Sequence, residues 1–350
     1  SGAAMIDAER IVRLAWTDYG DNRSIVEIVE VSAHVSTNHV FRLHLDDGSH
    51  VVGKVSSYGS YFLFAEDHDR LFKLVQSLSN TQWSGFLAQV LPRDGRAYTW
   101  YDGSCWAAFY NDVERGTQLP RIISTDDIVF LAREIAGFHK ACANAALDLP
   151  PTSNSVKGDA IHLLDQLSSE FAPRNFDLRE SDISYLRTST HNFLKNLENI
   201  HFDEWTKMPI LVDWNLGNFS VTQDANLVKR LFTRWDYDWF RIDTRMLDFY
   251  FLSRAASHTG DKTHFSYSPH TLVEPRFVAF LQAYHSVYPL SHAEIEFLPS
   301  AYQFFILNYV IREGAKFFRA DLSTRFRKDA VRLYLPMLES LDISPLMQIV

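Results

Sequence analysis

The stretch LVDWNLGNFSVTQDANLVKRLFTRWDYD, residues 211–238, decides how the rest of the chain is read. Asp213 and Asn218 stand five apart in a short segment with turn character. Asp236 follows at the end of a hairpin, residues 219–221 against 228–235. Phosphoryl transfer from a nucleotide requires a carboxylate near the acceptor hydroxyl and oxygen ligands for magnesium. An Asp, an Asn and a second Asp at these separations supply both. A lone Asp in such a turn ordinarily bonds its own backbone. Three chemical residues in series, with a lysine far upstream, are harder to explain that way.

That lysine is Lys54, in VVGKV, the third of three successive strands expected at 25–31, 40–45 and 50–55. Phe41, Leu43 and Leu45 alternate with Arg42 and His44, and residues 46–49 (DDGS) make the hairpin connection. A helix is expected over 60–78, with Leu63, Leu71, Leu74 and Leu78 near helical spacing. Further strands are expected at 86–91, 97–101 and 105–110, separated by the turns RDG (93–95) and DGS (102–104). On pattern alone a lysine in an apolar strand is an exposed edge charge. The functional reading needs an acid to set it against nucleotide phosphates. Glu66 on the following helix can supply one, with Asp67 and Asp69 as competitors.

After Asp112 the character turns helical. Ile128, Leu131, Ile135, Phe138 and Cys142 recur at helical spacing behind a Thr125-Asp126-Asp127 capping start. Further helices are expected near 161–171, 183–200, 243–257, 274–287, 292–318 and 323–340. The boundary near 112–116 divides the chain into 1–112 and 113–350. His139, on the apolar stripe of its helix, reads as a packed, hydrogen-bonded histidine.

With these residues in place, the D-x-x-x-x-N of 213–218 and the WDYD of 235–238 resemble the catalytic segment of the aminoglycoside phosphotransferase and choline kinase superfamily. That superfamily usually reads H-G-D-x-x-x-x-N, then I-D-F/W-D/E. SAHVSTNHVFRLHLDDGSHVVGKVSS (32–57) is similar to its first three strands. The resemblance implies an α+β, bilobal protein-kinase-like fold, with a small antiparallel sheet lobe, a larger mainly helical lobe, and ATP in the cleft. It implies that Asp213 is the catalytic base and that Asn218 and Asp236 hold Mg2+. Lys54 and Glu66 would position ATP, and Ser36 and Thr37 would lie in the phosphate-covering loop. Asn111 and Val113 would lie in the interlobe hinge FYNDVERG (109–116), where adenine is recognised through backbone groups. Asp238 would assist a second metal or bond backbone amides, and Asp248 would be structural. If 236–238 is extended, Asp236 and Asp238 point to opposite faces and only Asp236 aims at the cleft. The partner would be a small-molecule hydroxyl acceptor of aminoglycoside-, choline-, homoserine- or sugar-like type. Two departures stand out: Leu211 and Val212 replace the His and Gly of the catalytic pattern, and Ala33 and His34 stand where glycines are common. They keep open a pseudokinase that binds nucleotide, or a partner, without turnover.

The composition agrees with a folded enzyme. At 350 residues there is room for about two domains. A hydrophobic fraction of 46% is ample for buried cores, which excludes disorder. The net charge of −9 argues against a nucleic-acid binder and favours a cationic or neutral small ligand. Cys105 and Cys142 form no metal or disulfide pattern, so a reduced, cytoplasmic setting is expected. No membrane span and no signal-peptide pattern is found in the sequence. Acceptor identity, ATP against GTP, and oligomeric state stay open at this level.

Overall fold

Alternating burial along Phe41, Leu43 and Leu45 gives the first sheet face its core. The computed structural model describes residues 7–33, 36–259 and 266–350. His34, one of the residues at the expected glycine positions, falls outside them. Strands β1 (Ile25–Glu30), β2 (His39–Leu45), β3 (His50–Ser56), β4 (Thr99–Tyr101) and β5 (Trp106–Asn111) form a five-stranded antiparallel sheet in the order β1-β2-β3-β5-β4. Helix α1 (Ala8–Tyr19) packs on one face, where Val12 and Trp16 join Val51, Val55 and Phe109 in a core cluster. Gly53 allows this approach: a Cβ there would lie 2.7 Å from Val12 Cγ2. Side chains alternate across a strand, so Lys54 emerges on the opposite face, toward helix α2 (Tyr61–Ser77).

The segment 86–91 is not a strand of this sheet. Phe86 O accepts from Arg234 N at 2.8 Å, Ala88 N donates to Arg234 O at 2.9 Å, and Leu91 N donates to Phe109 O at 2.8 Å. The apolar run that suggested a strand is instead a buried connector stitched to both lobes.

The second lobe opens with α3 (Thr125–Ala145), capped by Ser124, whose side chain accepts from Asp127 N. Its buried stripe is Ile128, Leu131, Ile135, Phe138 and Cys142, as the spacing predicts. Helices α4 (Val156–Leu167) and α5 (Glu180–Asn199) follow, and later helices cover Phe249–Ala256, Pro275–Val287 and His292–Phe305. The single helix expected over 292–318 is interrupted: Ile306–Arg312 is π-helical and Gly314–Phe317 is a separate turn of helix. Such π segments often mark functional sites. The larger core cluster ignores the lobe boundary, running from Leu71, Leu74 and Trp83 through Tyr110 to Phe138 and Trp214. Just past the boundary, within the helical part, Thr117 and Val221 exchange two backbone hydrogen bonds of 2.8 Å. Gly116 lies so close that a Cβ would meet Val221 O at 2.2 Å. No helix among the described residues is long and apolar enough to cross a membrane.

Candidate active site

The short strand Met208–Ile210 delivers the chain to Leu211 and Val212, both buried. Val212 has φ +62, and Asp213 N donates back to Leu211 O at 2.7 Å. A β-branched residue at positive φ is strained, by about 1–2 kcal/mol. The bend is held from below by Asp248. Its Oδ1 accepts from Val212 N at 2.8 Å, and its Oδ2 accepts from Trp214 Nε1 at 2.8 Å. His139 Nε2 lies 2.7 Å from the same Oδ2, and its Nδ1 lies 2.6 Å from the Tyr284 hydroxyl. His139 and Asp248 are both fully buried, consistent with the structural roles expected of them. They brace the loop in which Leu211 replaces the usual histidine.

Beyond the bend, Asp213 Oδ1 accepts from Asn215 N at 3.0 Å, and Asn218 N donates to Asn215 O at 2.9 Å. Asn218 O accepts from Trp235 N at 3.1 Å, which fastens the 213–218 loop to the Asp236 segment. Among the described residues no hydrogen bond claims the Asn218 side chain. Asp236 has φ +68, and its Oδ1 accepts from Asp238 N at 3.2 Å. The segment therefore turns, so the extended backbone on which the opposite-face expectation was conditioned is not formed. Both carboxylates reach Lys54: its Nζ lies 3.8 Å from Asp236 Oδ1 and contacts the Asp238 carboxylate directly. Burial pulls the Lys54 ammonium pKa down, while Asp236 and Asp213 push it back up.

Three other sequence expectations are corrected. Glu66 does not pair with Lys54; its carboxylate accepts from Ser153 N at 2.5 Å and Ser153 Oγ at 2.6 Å. One residue along a helix rotates the side chain by about 100°, so Asp67 faces the cleft and Glu66 faces the 151–153 loop. Ser36 and Thr37 do not present free hydroxyls to a phosphate. Ser36 Oγ accepts from Asn38 N at 3.3 Å while its backbone bridges to Phe318, Thr37 N donates to Phe317 O at 2.9 Å, and Thr37 Oγ1 donates to Lys316 O at 3.0 Å. The loop is thereby latched across the cleft to the helical lobe. At the hinge, the Asn111 side chain accepts from Gln89 N at 2.5 Å, and Asn111 N donates to Gln89 O at 3.0 Å. Asn111 thus offers no free backbone N–H for adenine. Val113 packs partly buried against the core. A double-mutant cycle on stability follows from this geometry: Lys54→Met and Asp238→Asn should couple by about 1–3 kcal/mol, whereas Lys54→Met and Glu66→Gln should add within about 0.5 kcal/mol. Equal coupling in the two cycles, measured by urea denaturation, would refute the pairing.

A cleft of about 800 Å³, counting its open mouth, lies on the α2 side of Lys54. Its acids are Asp67, Asp159, Asp238 and Glu313. Two arginines offset them. Arg241 bonds Asp159 at 2.9 Å and Asp243 at 3.0 Å, and Arg312 reaches Asp159 at 3.3 Å and Glu313 at 2.7 Å. Burial, with help from Glu66, pushes the Asp67 carboxyl well above the usual range. Asp213, Asn218 and Asp236 do not line this cleft; of the residues the sequence singled out, Lys54 does, and so does Asp238, expected to assist a second metal or bond backbone amides. Sequence reasoning missed Asp159, Arg241, Arg312 and Glu313, which lie on elements with no motif of their own. Asp67 had been weighed only as a rival partner for Lys54.

Among the described residues no group of three or more His, Cys, Asp or Glu side chains is arranged to hold a metal. The Asn218 amide and Asp236 carboxylate are nevertheless oxygen donors brought together by one backbone bond. That set fits magnesium, which takes few protein ligands when phosphates and waters complete its shell.

No protein-family model matches the chain, and no curated protein matches it in sequence. Solved structures do. The chain is similar to an amicoumacin kinase, hAmiN, in complex with AMP-PNP, Ca2+ and Ami, at TM-score 0.65 and 12% identity, covering 99% of this chain and 98% of that one. A microcompartment-associated aminopropanol kinase matches at TM-score 0.58 and 17% identity over 96% and 100% of the two chains. The GDP complex of aminoglycoside 2'-phosphotransferase-IIIa matches at 0.56 and 14% over 95% and 98%. Together with the antiparallel sheet, the latched loop and the braced Asp213 bend, these end-to-end matches give the chain the bilobal α+β fold of the kinase-like small-molecule phosphotransferases.

Proposed function

We propose that this protein transfers the γ-phosphoryl group of ATP to a hydroxyl of a small molecule. The observation that carries the reading is the gathering of Lys54, Asp236 and Asp238 at one point, within electrostatic reach of Asp213. Asp213 accepts or orients the proton of the acceptor hydroxyl. Lys54 sets the nucleotide phosphates. Asn218 and Asp236 would hold Mg2+, which when bound neutralises charge on the β- and γ-phosphates. The buried bend at Val212 fixes Asp213 before substrate arrives, so the base costs little reorganisation.

For the acceptor, an alcohol that also bears an amine is favoured. The cleft places Asp67 and Asp159 beside cations already paired with acids, Lys54 with Asp238 and Arg312 with Glu313, so its charge alone selects no acceptor and the reading leans on the neighbours. The named neighbours include an aminopropanol kinase and an aminoglycoside phosphotransferase. The reading is tested by incubating the protein with ATP, Mg2+ and a panel of amino alcohols and aminoglycosides, and resolving the products. Acceptor-dependent ADP with a phosphorylated alcohol supports it. AMP attached to the acceptor would mean adenylyl transfer instead.

A second reading, the pseudokinase, draws on a different observation: Lys54 is already held by Asp238, and Thr37 is already tied to Lys316. Magnesium-dependent ATP binding without turnover on any acceptor is the outcome that favours it.

A further inference from the structure

Arg234 is fully buried, yet among the described residues no carboxylate lies within ion-pair distance of it. Its backbone is locked on both sides, by Phe86 O and Ala88 N, and its carbonyl also accepts from the Tyr237 hydroxyl at 3.1 Å. The guanidinium lies 5.2 Å over the Trp214 ring. Nε donates to Trp235 O at 2.8 Å and Nη2 to Asp236 O at 2.9 Å, while Nη1 has no partner. A cation in such a place loses its hydration without gaining a counter-ion in contact. What it gains is two successive carbonyls, turned the same way at the left-handed residue Asp236. The parallel N–H edge of a guanidinium matches that pair, and an ammonium does not. Its charge also acts on Asp213 and Asp236.

We propose that Arg234 is a positioning residue for the phosphate-side carboxylates. Its fork holds the Trp235–Asp236 turn in its left-handed form, and its charge offsets the crowding of Asp213 and Asp236. This role rests on the phosphotransferase reading for its purpose but not for its geometry. It also answers the missing histidine: the catalytic segment is braced by Asp248 on the Val212 side and by Arg234 on the Asp236 side.

The test uses hydrogen exchange and nucleotide binding on wild type, Arg234→Met, Arg234→Lys and a control, Arg245→Met. Arg245 is a buried arginine on the Asp248 side of the segment, bonded bidentately to Glu294 at 2.9 and 2.8 Å and to the Tyr284 hydroxyl at 3.4 Å, so it reports the loss of a buried arginine that does not clamp 235–238. Both Arg234 variants should raise amide exchange across 235–238 by roughly tenfold or more, since their carbonyl clamp is gone. They should also lose most of the gain in AMP-PNP affinity that Mn2+ confers over EDTA. Arg245→Met should lower the melting temperature without either effect. Unchanged exchange at 235–238 in the Arg234 variants, or equal changes in Arg245→Met, would overturn the proposal. If Arg234→Met does not fold, Arg234→Lys decides by the same measures. If wild type shows no metal-enhanced nucleotide binding, the phosphotransferase reading fails, and the exchange data alone decide on Arg234.

Discussion

Asp213→Ala removes phosphoryl transfer to the acceptor by about 10²–10⁴-fold, the range a positioned general base contributes. AMP-PNP affinity stays nearly unchanged, because the carboxylate serves the acceptor hydroxyl and not the nucleotide. Asp213 Oδ1 also accepts from Asn215 N, so alanine loses a loop bond along with the base. Asp213→Asn separates the two, since an amide oxygen can keep that bond while lacking the proton-accepting charge. Both variants should be equally slow in kcat if the charge does the chemistry. A kcat above about a tenth of wild type in either, a loss of only ~1.4 kcal/mol, would sink the role of base.

Asp236→Asn produces the second large loss, and of a different kind. The substitution preserves size and the bond from Asp238 N, but deletes the anionic group proposed to hold magnesium and one of the two carboxylates near Lys54. Turnover should fall by about 10²–10³-fold, and the magnesium concentration for half-maximal activity should rise. Asp238→Asn is the informative contrast, because its carboxylate contacts Lys54 most closely. It should raise the KM for ATP while leaving the magnesium requirement in place. A magnesium requirement shifted by Asp238→Asn and untouched by Asp236→Asn would exchange their assignments.

The sequence made the sheet lobe and α3 legible because their signals are periodic: Phe41, Leu43 and Leu45 at period two, and Ile128 to Cys142 at helical spacing. Lys54, Asp213, Asn218 and Asp236 could be singled out as a series because phosphoryl transfer needs such groups, and the structure brings Lys54 close to Asp236 and within reach of Asp213. Partnerships were not legible. Whether Glu66 or Asp67 faces the cleft depends on a single 100° step in the phase of α2, which apolar spacing does not fix. The turn at Asp236 depends on carbonyl bonds to Arg234, a residue whose hairpin position reads as an ordinary strand arginine. Phe86–Leu91 misled because an apolar run marks burial, whatever the backbone does there. Val212 was noted only as an absent glycine. Its φ of +62 shows why glycine suits the position, and the bond from Val212 N to Asp248 shows how valine is kept there.

The connector at 86–88 and a core running from Leu74 to Trp214 have a thermodynamic consequence. Heat cannot melt the helical lobe without exposing the underside of the sheet lobe, because those residues belong to one apolar mass. The cooperative unit therefore spans the cleft, and calorimetry should record one endotherm with van't Hoff and calorimetric enthalpies in agreement. The exception is the smaller cluster beneath α1, where Val12 and Trp16 pack on Gly53 and Phe109. That outer layer can open as a local event of lower free energy, protecting its amides less than those of α3. Two resolved endotherms dividing near the hinge would contradict a core shared by both lobes.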